Sequence, residues 1–158
     1  MKNKLTLILT LSALAFVALA CNASFTTANI ASLNFGKNEK AEPQTTSFNV
    51  GEKVNAVATI ANSMSKTKVH FSVSYENVAG KPKGQEAGKT DVELPSSGTA
   101  LFYFTPVEPG DYKVEATLFD ESGKELGKKS GVVNVKGEAA PAKPADDAKK
   151  DDKDEDDK

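Results

Sequence analysis

Gly110-Asp111-Tyr112-Lys113-Val114-Glu115-Ala116-Thr117-Leu118-Phe119-Asp120 is the stretch whose reading decides the fold. Tyr112, Val114, Ala116 and Leu118 fall on one face at period two, and Lys113, Glu115 and Thr117 fall on the other. Such alternation marks a strand with one face in a core and one face in water. Pro109-Gly110 ahead of it and Asp120-Glu121-Ser122-Gly123 behind it are turn chemistry, so both ends are punctuated. The stretch reads as the central strand of a small β-sandwich.

The neighbouring segments carry the same period. After the hairpin turn, where Gly123 is ready for a positive φ, a last strand runs to Val132-Val133-Asn134-Val135. Before the central strand, Thr99–Thr105 turns Ala100, Phe102 and Phe104 toward the core. Lys89–Leu94 is a short strand with Val92 and Leu94 inward. Thr67–Asn77 places Val69, Phe71, Val73 and Tyr75 on one face and Lys68, His70, Ser72, Ser74 and Glu76 on the other. Val54, Ala56, Ala58 and Ile60 alternate in turn. Phe48-Asn49-Val50-Gly51 looks like a turn with Phe48 as an apolar plug, and Phe25–Phe35 supplies a first strand. Seven strands at short spacing, with no helix outside the leader, predict an all-β antiparallel sandwich over residues 25–137. Lys37, Lys40, Lys128 and Lys129 lie near the first and last strands, where charge discourages edge-to-edge pairing.

Both ends of the 158-residue chain differ from this pattern. Lys2 and Lys4 precede an apolar run, Leu5–Ala20, that closes on Ala18-Leu19-Ala20: a secretory signal over residues 1–20. As a helix that run spans roughly 24 Å, short of the ~30 Å hydrocarbon core, so a permanent transmembrane helix is the weaker reading. Residues 21–24 form a tether. Residues 138–158 combine prolines, alanines, Asp and Lys with no bulky apolar side chain, and such a segment is expected to be disordered. Setting both ends aside leaves about 115 residues, enough for one sandwich core. The formal charge of -2 resolves into +2 on the leader, -4 on the tail and a middle near zero. Every basic residue is Lys, no basic patch appears, and nucleic acid is excluded as an expected partner.

The leader's end supports two cuts. Ordinary signal peptidase acting after Ala20 leaves Cys21 as a free N-terminal residue. Ala18-Leu19-Ala20-Cys21 also resembles a bacterial lipobox, and that resemblance implies acylation of Cys21, the only cysteine in the chain. A diacylglyceryl thioether with an amide-linked acyl chain exceeds the two signals that stable anchoring needs. The sorting rule of enteric-type bacterial lipoproteins, carried over to Asn22, implies the outer membrane in a Gram-negative envelope, with a periplasmic or cell-surface position.

Phe48-x-x-Gly51-Glu52, Gly110-Asp111-Tyr112-Lys113-Val114 and Gly123-Lys124 together resemble small immunoglobulin-like lipoproteins of bacteria, over roughly Phe25 to Lys136. The resemblance implies that Tyr112 is a tyrosine-corner residue, its hydroxyl bonded to backbone in the Thr105–Pro109 approach. The core Trp and the cysteine pair of antibody-type domains are missing, and no catalytic residues come with the resemblance.

Candidate chemistry is sparse. His70 is the only histidine and falls on a polar strand face, where a solvated imidazole is expected. Met64 and His70 stand nearly alone, which does not assemble a copper or zinc set. No G-x-S-x-G elbow or glycine-rich phosphate loop is present, and the acid pairs Glu108/Asp111 and Asp120/Glu121 sit at turns. The tail's Asp151–Asp157 run lacks EF-hand spacing. The sequence thus predicts a non-catalytic, cofactor-free, membrane-anchored module that binds a protein or envelope partner. A secreted carrier or accessory subunit for a metal or small ligand is the alternative, and it requires a pocket with polar inward positions.

Overall fold

A computed structural model describes residues 28–139. The leader, the tether with Cys21, and tail residues 140–158 lie outside the described residues. Eight strands follow in order: β1 (Asn29–Gly36), β2 (Ser47–Asn49), β3 (Val54–Ala61), β4 (Thr67–Val78), β5 (Glu86–Leu94), β6 (Gly98–Phe104), β7 (Gly110–Asp120) and β8 (Glu125–Lys136). They form two sheets, one of order β1-β3-β6 and one of order β2-β8-β7-β4-β5. β7, built from the opening stretch, is the middle strand of the larger sheet.

The period-two pattern places the core. Val54, Ala56, Ala58 and Ile60 of β3 are buried, as are Val69, Phe71 and Val73 of β4 and Tyr112, Val114, Ala116 and Leu118 of β7. Burying a side chain such as Phe71 or Leu118 contributes about 1.5–3 kcal/mol. Size alternates within the smaller sheet: Ala56 lies beside Phe102 in the β3–β6 register. The space left by the alanines accepts rings from the other layer, and Phe71 stacks on Phe102 with centroids 5.5 Å apart. The aromatic series continues through Phe104 and Tyr112 to Tyr75. Five rings therefore bind β4, β6 and β7 along the core.

Two sequence expectations need correction. The sandwich has eight strands rather than seven, and it is not wholly antiparallel, because β2 pairs in parallel with β8 through Phe48↔Val135. Phe48 is buried as expected for a plug, but the backbone around it also joins the sheet. Asn134 N donates to the Thr46 carbonyl at 2.7 Å, and Val50 N donates to the Lys136 carbonyl at 2.9 Å. The chain leaves the edge of one sheet after β1 and joins the edge of the other at β2. A three-residue strand is too short to display a period. The second correction is smaller: β5 begins at Glu86 rather than Lys89, because its first residues, Glu86-Ala87-Gly88, carry no bulky apolar side chain to mark an inward face.

The β7–β8 hairpin forms at the turn expected for it. Gly123 has φ 82°, and Asp120 Oδ1 accepts from Ser122 N at 2.9 Å and Lys124 N at 3.0 Å. These bonds hold the Asp120 carboxyl below its ordinary pKa, the Ser122 hydroxyl contributing most.

Candidate functional site

Tyr112 opens β7 with 3% of its surface exposed. Its hydroxyl donates to the Glu108 carbonyl at 2.8 Å, which ties the approach loop to the first inward residue of the central strand. Burial pushes the phenol pKa up, with neighbouring Tyr75 acting in the same direction. Gly110, two residues earlier, has φ 139° and lies against the Asn77 carbonyl and Val78, so no side chain fits there. The corner is a structural device, and it presents no reactive atom to solvent.

The outer face of the five-stranded sheet carries several of the paired charges among the described residues. The register sets Lys128, Thr117, His70 and Asp91 in one row across β8, β7, β4 and β5. The next row holds Ser130, Glu115, Ser72 and Lys89. His70 does lie on the polar face, but its ring is not free in water. Nδ1 is 2.6 Å from Asp91 Oδ1, and the side chain is 35% exposed. Lys68 Nζ approaches Asp91 Oδ2 at 3.6 Å. The His70 hydrogen bond, with help from Lys68, holds Asp91 below its ordinary pKa. Glu115 lies between Lys113 (3.4 Å) and Lys128 (3.7 Å). Opposite charges thus alternate across this face, and the Asp91 carboxylate fixes the orientation of the His70 ring through Nδ1.

Four polar residues are buried among the described ones, Asn55, Ser63, Thr67 and Thr117; Thr117, expected on the wet face of β7, is enclosed between its neighbours His70 and Lys128 in the sheet, and Asn55 and Thr67 also escaped the sequence reading. Asn55 lies on the outer face of β3, yet it is buried; it pairs with Gly36 at the end of β1, and its Nδ2 donates to the Gly36 carbonyl at 3.3 Å. Thr67 is buried at the start of β4 with no partner for its hydroxyl, beside an open cleft of about 600 Å³ lined by Lys66, Lys68, Glu93, Asp120 and Glu121. An Asn between Val54 and Ala56 interrupting an apolar strand was the available signal for the first. The Thr67 position gave none.

Among the described residues no group of three or more His, Cys, Asp and Glu is placed to hold a metal ion. Cys21 lies outside the described residues. No helix among them is long and apolar enough to cross a membrane.

In chain order, β1, β3 and β6 correspond to strands A, B and E of one immunoglobulin sheet, and β8, β7, β4 and β5 to G, F, C and C′ of the other. With Tyr112 at the start of the F-equivalent strand, the domain is an immunoglobulin-like β-sandwich. No protein-family model matches the chain, and no curated protein sequence matches it. Solved structures that align with the chain include the C-terminal domain of wzt, at 10% identity over 70% of this chain and 74% of that one, TM-score 0.47. The soluble domain of PmoD from Methylocystis sp. aligns at 13% identity over 72% of this chain and 100% of that one, TM-score 0.43. An immunoglobulin-like protein from Pseudomonas aeruginosa aligns at 18% identity over 69% and 96%, TM-score 0.41. All three TM-scores lie below 0.5, and the fold assignment rests on the strand topology instead.

Proposed function

We propose that this chain is a lipid-anchored extracytoplasmic binding module, held at the membrane by an acylated Cys21 and acting on a protein or envelope partner by contact rather than turnover. The observation that carries the reading is the placement of the only cysteine directly after Ala18-Leu19-Ala20, at the end of a basic-then-apolar leader. The folded domain supports a contact role in two ways. Its inward positions are apolar apart from Thr67 at the start of β4, which weighs against a polar ligand in the sandwich interior and so against the carrier alternative. On the outer face of the larger sheet, several titratable groups pair with one another, as in His70–Asp91 and Lys113–Glu115–Lys128. The polar tail then serves as a solubilising, charged extension.

Detergent-phase partitioning of cells expressing the full chain tests the anchor. Wild-type protein should enter the detergent phase and Cys21→Ala the aqueous phase. Equal partitioning of the two into water would overturn the proposal.

A further inference from the structure

We infer that β6 is a pairing edge through which two copies of this chain join their three-stranded sheets. The four sheet edges are β1 and β6 in one sheet, β2 and β5 in the other. Three of them carry a device against pairing. β1 has a bulge between Ile30 and Ser32, and the inward-reaching Lys129 Nζ takes the Ala31 carbonyl at 2.7 Å. β2 is three residues long and pairs only with Asn134–Lys136, and the stretch of β8 that it leaves open carries Glu125, Lys128 and Lys129. β5 carries Glu86, Lys89, Asp91 and Glu93 and a register shift against β4. β6, Gly98-Thr99-Ala100-Leu101-Phe102-Tyr103-Phe104, has no charge, no proline and no bulge in its register with β3. An edge of that composition presents unpaired backbone groups to whatever strand fits them.

The occupant that fits is a second β6. Its small residues occupy the first half and its large ones the second. Antiparallel pairing about a two-fold axis at Leu101 sets Leu101 opposite Leu101 of the partner subunit. It also sets Gly98 opposite an aromatic Phe104-type ring, Thr99 opposite a Tyr103-type ring and Ala100 opposite a Phe102-type ring. Each small side chain thus meets a ring, the combination that stabilises cross-strand pairs and compensates a strand glycine. A two-fold contact of one patch with itself closes as a dimer. Because β6 is uncharged, the pairing brings no like charges together. Tyr103, 58% exposed, and partly buried Leu101 lie on the outer face, where they would extend over the joined sheet.

The test uses the full chain in cells. Leu101→Cys, treated with an oxidant, should give a disulfide-linked dimer at twice the monomer mass, since directly opposed Cβ atoms lie within bridging distance. Thr59→Cys, on the same face but on the inner strand β3, should remain monomeric, as should wild type with its single Cys21. In a second arm, differently tagged Leu101→Lys and Leu101→Glu copies should co-purify with each other and each fail to co-purify with itself. Thermal melting of each variant verifies folding. A Leu101→Cys chain that stays monomeric, crosslinks to a different protein, or crosslinks no more than Thr59→Cys overturns the inference, as does loss of the charge-pair preference in folded variants.

Discussion

Removing the hydroxyl of Tyr112 and then its ring separates two contributions to the central strand. The hydroxyl makes one bond, to the Glu108 carbonyl at 2.8 Å, in a setting where the residue is almost fully buried. Tyr112→Phe therefore should cost about 0.5–1.5 kcal/mol, and somewhat more if the carbonyl is left without water. Tyr112→Ala also removes the ring that meets Tyr75 at 5.6 Å and Phe104 at 5.9 Å. The cavity raises the cost to about 3–5 kcal/mol, a large share of the ~5–15 kcal/mol that holds a domain together. Urea melts at constant slope measure both. The raised phenol pKa adds a second readout. A group whose folded pKa lies above its unfolded value contributes stability that is complete below the unfolded pKa and lost as pH rises through the folded one. Wild type should lose stability above about pH 10, and Tyr112→Phe should lose less of it. His70→Ala gives the reference point: it breaks one exposed pair, worth about 0.2–1 kcal/mol. If Tyr112→Phe costs as much as Tyr112→Ala, or His70→Ala exceeds both, the assignment of inward and outward faces is wrong.

On the acid side, Asp91, Glu52 and Asp120 all have depressed pKa values, owing first to His70, Lys37 and Ser122 respectively. Their contribution is present above the ordinary carboxylate range and lost as pH falls through the depressed values; Asp91→Asn should flatten part of that decline in thermal melts between neutral and acid pH. Gly131→Ala would set a Cβ 2.5 Å from Phe35 Cε2 in the core and should cost about 1–3 kcal/mol by overpacking, read as a lower urea midpoint; an unchanged midpoint would show that the ring moves freely. Truncation after Gly137 removes a stretch without a bulky apolar side chain and should change stability by less than ~0.5 kcal/mol; a clear fall in melting temperature would mean that the tail docks on the sandwich.

The strands legible in the sequence were those with one wet and one dry face. Val54/Ala56/Ala58/Ile60, Val69/Phe71/Val73 and Tyr112/Val114/Ala116/Leu118 each announce their inward side because a half-buried strand must alternate. β2 was hidden because its identity lies in pairing with β8, far along the chain, rather than in its own three residues. Asn55 was hidden for a related reason: its partner, the Gly36 carbonyl, lies on β1, in a different part of the sequence. The His70–Asp91 pair follows from the β4–β5 register, and register depends on turn geometry and bulges that composition does not reveal. Tyr112 was legible because Gly-Asp-Tyr at a strand start is a local motif, and the hydroxyl's partner is four residues away.

The mass of the mature N-terminal peptide, recovered from cell membranes and read by mass spectrometry, tests the lipid-anchor reading most directly. The reading predicts a peptide that begins at Cys21 and carries a diacylglyceryl group on sulfur with a further acyl chain on the amine. A mature peptide that begins at Cys21 with an unmodified thiol would contradict it.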